Sequence, residues 1–286
     1  MKPLRILNNM RTIILICILL FSVLSGTAHA NQSDDEMELE TSVCGLKEPF
    51  LFWIWSGMAG RADASRLKGL EGVEDIAFSS QDSRVLRGYK LHSRVQPAQG
   101  YLLVLQGNAI LADQLIGEFT SYASAGYDVY MYDYRGYGRS EGKRRLKAMV
   151  SDTREIVAAL NGLPYPRRLV YAFSFGGILL LDSFEAEFDL NRVVIDSSPG
   201  RLSNYGCPVQ FDPVEHLPDD CSPFLFISGQ RDTVVTPSMT EELLREAKQR
   251  KARIVDDVDF THPFMESIPT LHQQRMEMIE GFLLSL

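Results

Sequence analysis

Positive charge is scarce in this chain: 29 lysines and arginines stand against 37 aspartates and glutamates, a net charge of −8 over 286 residues. That balance argues against nucleic acid as a partner, because phosphate binding needs a clustered basic surface. Cysteine is also scarce, at four residues, and no CxxC or CxxH spacing marks a metal site. The glycine-rich stretch 135–140 lacks both the GxGxxG arrangement at the start of a helix and GxxxxGK[ST], so no nucleotide loop and no cofactor are expected. One long apolar run exists, Thr12 to Leu24, and it is short for a bilayer span. What is present is a globular composition, 45% apolar and 23% charged. It suits a single α/β domain with a real core.

The N-terminus carries an export pattern. Lys2, Arg5 and Arg11 flank the apolar run, and Ala28-His29-Ala30 supplies small residues at the positions a signal peptidase reads. Residues 1–30 are therefore expected to be a cleaved signal peptide and the protein periplasmic or secreted; an uncleaved anchor is the alternative. Ile16 before Cys17 argues against a lipoprotein site. Cleavage removes three basic residues and no acidic one, deepening the charge from −8 to −11. Cys44, Cys207 and Cys221 then remain, and a local Cys207–Cys221 clip stands beside three free thiols with the pairing undetermined.

Residues 31–73 form an acidic lead-in followed by the apolar segment 49–55, Pro49-Phe50-Leu51-Phe52-Trp53-Ile54-Trp55. Packing on the domain edge is the favoured reading, since the run has no cationic face; peripheral membrane contact is the second. The domain proper is placed at 74–286. A hairpin is expected around Ser83-Arg84, then strands at 101–105, 127–132, 168–173, 192–195, 223–228 and 252–255, with helices at 112–125, 239–250 and 265–284. Such alternation calls for a mostly parallel sheet covered by helices on both faces. Functional residues in such sheets gather at the carboxyl ends of the strands.

Three polar residues fall there: Ser174, Asp232 and His262. Ser174 lies between a buried strand and a helix start, in Ala172-Phe173-Ser174-Phe175-Gly176-Gly177, where small neighbours permit a sharp turn. A serine hydroxyl is a weak nucleophile until a histidine takes its proton, and that histidine needs a carboxylate to hold its ring. Of five histidines, His262 alone lies in the loop after the terminal strand, His272 falling inside the last helix. Asp232 is assigned as the acid with Asp196 second; Asp257 and Asp259 tune or solvate the base loop. The backbone N–H groups of Phe175 and Asn108 are the candidate oxyanion donors. The loop Asp133-Tyr134-Arg135-Gly136-Tyr137-Gly138-Arg139-Ser140 is read as a structural hinge, with Arg135 pairing to Asp133 or a neighbouring carboxylate.

In this order, Gln106-Gly107-Asn108-Ala109, the Asp133–Ser140 stretch, Ala172–Gly177, Gly229-Gln230-Arg231-Asp232 and Thr261-His262 resemble the motifs of the α/β-hydrolase family. The likeness is to its serine hydrolases similar to abhydrolase-domain proteins, over residues 74 to 284. It implies an α/β-hydrolase fold with Ser174 as nucleophile, Asp232 as acid, His262 as base, and Asn108 and Phe175 as oxyanion positions. The family's usual His-Gly reads Gln106-Gly107 here, and the first glycine of G-x-S-x-G is Ala172. The interval 197–222 is short, which predicts a minimal lid and an open pocket. The expected activity is hydrolysis of a small-molecule ester, thioester or other acyl substrate. A peptidase acting on short peptides and a non-catalytic envelope binding protein are the alternatives.

Overall fold

The computed structural model describes residues 39–184 and 188–285. The expected signal peptide 1–30, its cleavage site and the start of the acidic lead-in lie outside the described residues. After helix α1 (Lys47–Ala59) the chain enters a hairpin, β1 (Val73–Ser79) and β2 (Val85–Leu91), turning through Ser83 as expected. β3 (Gly100–Leu105), β4 (Tyr127–Tyr132), β5 (Arg167–Phe173), β6 (Arg192–Asp196), β7 (Phe224–Gly229) and β8 (Arg253–Asp257) follow. Between them run α2 (Leu146–Asn161), α3 (Phe175–Asp182) and α4 (Pro237–Gln249), and α5 (Pro269–Leu283) ends the chain. The eight strands lie in the order β1-β2-β4-β3-β5-β6-β7-β8. β2 is antiparallel to both neighbours, and every later pair is parallel.

The continuous apolar strand runs are explained by burial on both faces. Side chains alternate along a strand, so Tyr101, Leu103 and Leu105 pack with Val157 of α2 and Leu243 of α4, while Leu102 and Val104 pack with Ile279 of α5 on the other face. Two helices differ by more than two residues from their expected bounds. The one expected over 112–125 breaks into short turns at Ala112–Leu115, Ile116–Phe119 and Thr120–Ser124, with Gly117, a weak helix former, inside the break. The last helix starts at Pro269 rather than Met265, with proline in the first position its fixed φ favours. The interval before β7 contains three 3₁₀ turns and no inserted domain, so the covering over the strand ends is minimal.

The apolar segment 49–55 lies within α1. Phe52 is buried against Phe175, with ring centroids 5.4 Å apart, and against Trp55 at 5.6 Å. Glu48, also buried, explains how the helix start is fixed: its carboxylate accepts the N–H groups of Val43 at 2.7 Å and Cys44 at 2.9 Å, and that of Leu146 at 2.8 Å. Leu146 opens α2, where a backbone N–H has no intrahelical acceptor and negative charge is favoured. On the outer side Leu46, Phe50 and Trp53 are 93%, 52% and 63% exposed.

The cysteine pairing corrects the local alternative. Cys44 joins Cys207, 163 residues away, and Cys221 is the buried free thiol. The bond staples the approach to α1 onto the interval before β7; chain-entropy arguments give a closure of that length about 5 kcal/mol at most. Burial pushes the Cys221 thiol up to about 11, which leaves little reactive thiolate at neutral pH.

One buried acid works against the fold. Asp182, at the end of α3, has neither carboxyl oxygen hydrogen-bonded among the described residues, and burial, aided by the charge of Asp212, pushes it up to about 9. Its folded value exceeds the unfolded one, so its contribution to stability is fully present below about pH 4 and is lost as pH rises through about 9. Asp182→Asn is expected to be more stable than the parent at pH 8, by about 1–3 kcal/mol for a group that lacks partners. The gap should close toward pH 4; denaturant melts at the two pH values check this, and an equal gap at both would refute it.

Candidate active site

β5 delivers Ser174 at its carboxyl end with φ 54° and ψ −118°, a conformation that costs a residue bearing a side chain about 1–3 kcal/mol. The surroundings impose it. Ser174 N–H donates to Asp196 O at 2.8 Å, while its carbonyl accepts from Ser198 Oγ at 2.6 Å. The two glycines after it are required by contact: a Cβ on Gly176 would lie 2.0 Å from Leu105 O, and one on Gly177 would lie 1.9 Å from Ser198 Oγ. Ala172, which replaces the first glycine of the motif, is fully buried and fits within β5, in register with Leu105 and Ile195.

The acid and base loops meet at the same end of the sheet as this turn, after the parallel strands β7 and β8. Asp232 Oδ2 and His262 Nδ1 are 2.8 Å apart, and Asp232 Oδ1 accepts the N–H groups of Val234 at 2.8 Å and Val235 at 2.9 Å. This fixes the carboxylate and leaves Nε2 of His262 as the ring nitrogen not engaged by the acid. Gly229 permits the meeting, since a Cβ there would lie 2.2 Å from Phe260 O. Among the described residues no hydrogen bond joins Ser174 Oγ to the His262 ring; such bonds are often long in unliganded sites and tighten with substrate.

The other carboxylates considered are occupied elsewhere. Asp196 is fully buried and bonded by Tyr171 OH at 3.2 Å, with Arg275 Nε at 3.9 Å; burial raises its pKa, opposed by the charges of Arg275 and His262. Asp257 accepts the N–H groups of Asp259 and Phe260 and so shapes the base loop, and Asp259 pairs with Arg231 at 2.8 Å. The base loop has a further brace that the sequence did not suggest. Arg275 of α5, 1% exposed, donates to Thr261 O at 2.7 Å and stacks over Phe260 with 4.3 Å to the ring centroid. A lone arginine inside an amphipathic helix carries no signal that it points inward.

The two candidate oxyanion positions have backbone N–H groups with no acceptor among the described residues: Phe175, first in α3, and Asn108, after β3. Gly107 lets that loop approach, as a Cβ there would lie 2.9 Å from the Phe173 ring. Gln106, where the resemblance implies histidine, turns its amide to Tyr132 O at 2.8 Å. Arg135 does not pair with Asp133. It is buried between Asp82 and Asp152, whereas Asp133 accepts the N–H of Ala112 at 2.8 Å. No group of three or more metal-ligating side chains occurs among the described residues.

A family model described as serine aminopeptidase, S33, matches residues 96–205, a span that includes Asn108 and Ser174. An alpha/beta hydrolase domain-containing protein of Caenorhabditis elegans is 30% identical over 151 residues, which is 47% of this chain and 44% of that protein. Among solved structures, an esterase of Pyrococcus furiosus superposes with a TM-score of 0.61 at 18% identity, covering 79% of this chain and 96% of its own. A Xanthomonas campestris α/β serine hydrolase described as without lid gives 0.58 at 15% identity, covering 76% and 97%. The mostly parallel sheet, the strained turn after β5 and these likenesses together show an α/β-hydrolase fold.

Proposed function

We propose that the protein is a serine hydrolase that cleaves carboxylic ester or thioester bonds through an acyl-Ser174 intermediate. The observation that carries this reading is the Asp232–His262 hydrogen bond at the same sheet end as a serine held at positive φ. In the first half-reaction Ser174 Oγ attacks the acyl carbon, its proton passes to His262 Nε2, and the same proton is then given to the leaving alcohol or thiol. Asp232 keeps Nδ1 protonated and stabilises the imidazolium. The N–H groups of Phe175 and Asn108 receive the negative oxygen. Water, deprotonated by His262, then attacks the acyl carbon; the bond to Ser174 Oγ breaks, the acid leaves and the proton returns from His262 to Ser174 Oγ. The minimal covering favours a small acyl substrate. The aromatic rings of Phe52, Phe175 and Tyr134, with centroids 5.4 and 5.6 Å from that of Phe175, supply apolar surface beside the nucleophile.

Cleavage of short peptides is the second reading, favoured by the description of the matching family model. Competition of esters, thioesters and peptides against a serine-directed fluorophosphonate probe on the purified protein separates the two: esters or thioesters should protect Ser174 at lower concentration than peptides, and the reverse order would overturn the ester reading. We also propose export after cleavage at Ala30, to which a long-range disulfide is suited. N-terminal sequencing should then begin at Asn31. Peripheral membrane contact through the 49–55 segment is proposed on the exposed Phe50 and Trp53.

A further inference from the structure

The Asp133–Ser140 loop lacks the nucleotide-loop patterns and supplies none of the reacting groups assigned above, only the Tyr134 ring, yet its folding is heavily determined. Arg135 anchors it from beneath, 1% exposed between two carboxylates. Gly138, at φ 52°, leaves room for Asp133, whose Oδ2 would lie 2.1 Å from any Cβ there. Ser140 Oγ closes the turn onto Asp133 O at 2.7 Å. The loop so fixed spends three contacts on one neighbour, the segment after β3. Asp133 accepts Ala112 N–H, Tyr134 OH donates to Gln106 O at 2.5 Å, and Tyr137 OH donates to Asn108 Oδ1 at 2.5 Å.

The last contact bears on chemistry. Asn108 Oδ1 is held from two sides, by Tyr137 OH and by the N–H of Ala109 at 3.1 Å, and Ala109 itself sits at φ 66°. The Asn108 side chain is therefore clamped, while its backbone N–H has no acceptor among the described residues. Resting on the serine-hydrolase reading, we propose that Tyr137 is a positioning residue for oxyanion stabilisation: its phenol fixes Asn108 so that the Asn108 N–H faces the developing negative oxygen. A donor works catalytically only if it is already aimed when charge develops. Burial raises the Tyr137 phenol above its ordinary value, so it remains a donor through neutral and mildly alkaline pH.

Tyr137→Phe tests this with little disturbance, because the ring and its packing against Tyr134 are kept and one oxygen is removed. With a soluble nitrophenyl ester, kcat is expected to fall about tenfold while KM stays within about twofold, a fraction of the loss that follows removal of a whole oxyanion donor. Affinity for a trifluoromethyl ketone, which forms a tetrahedral adduct on serine, should fall in the same proportion. Asn108→Ala should lose a similar factor, and the double variant should lose no more than either alone, since the phenol acts through that side chain. Wild-type kcat in Tyr137→Phe with a lowered melting temperature would make the contact purely structural and overturn the proposal, as would multiplied losses in the double variant. A parent protein that neither turns over the ester nor reacts with a fluorophosphonate would instead refute the hydrolase reading on which the proposal rests.

Discussion

Ser174→Ala is expected to abolish fluorophosphonate labelling and to lower ester turnover by about four orders of magnitude or more, leaving the residual rate that binding and oxyanion donors alone provide. The fold should survive the change. Ser174 contributes its backbone to the turn through Asp196 O and Ser198 Oγ, and both contacts involve main-chain atoms of residue 174. Alanine retains the φ 54° strain. Melting should accordingly be close to that of the parent, and this separates lost chemistry from lost structure. Labelling at unchanged stoichiometry in the variant would remove Ser174 from the mechanism and send the search to another serine.

Asp232→Asn is expected to lower kcat by about 10⁴. Asparagine preserves shape, and its amide oxygen can still accept the Val234 and Val235 N–H groups that now bind Oδ1. Its NH₂ then faces His262 Nδ1, which must become an acceptor, so the proton moves to Nε2 and the ring can no longer take one from Ser174. Asp196→Asn is expected to have a much smaller effect on turnover, since Asp196 has no hydrogen bond to the base and is engaged by Tyr171. It should change stability instead, because the carboxyl faces Arg275 inside the protein. The opposite ranking of the two variants in kcat would transfer the acid role to Asp196.

The frame of the molecule was legible because its strands are short, apolar and separated by turn residues, so position along the chain placed Ser174, Asp232 and His262 at one end of a sheet. The strand bounds at 127–132 agree residue for residue, and the others shift by one or two positions where hydrogen bonds rather than hydropathy end the element. What escaped the sequence depends on contacts between distant segments. Nothing local distinguishes Cys44 as the partner of Cys207 from Cys221, which lies far nearer in the chain. Arg135 was expected to find an adjacent carboxylate and instead lies between residues 53 and 17 positions away. Tyr137 reads as one aromatic residue in a glycine-rich stretch until its phenol is seen against Asn108. The helix break near Gly117 and the late start of α5 at Pro269 are local features that periodicity concealed.

Helix α1 has an optical consequence. The chain contains two tryptophans, Trp53 and Trp55, and both belong to this helix, one facing outward and the other against Phe52. Excitation at the red edge of protein absorption therefore reports on a single element two contacts from the nucleophile, unmixed with signal from the sheet. Reduction of the Cys44–Cys207 bond, occupation of the site beside Phe175, or settling of Phe50 and Trp53 into phosphatidylcholine vesicles would each alter that emission in its own way, the last by a shift to the blue. The protein carries its own fluorophore on the helix that packs against Phe175, the residue after the candidate nucleophile.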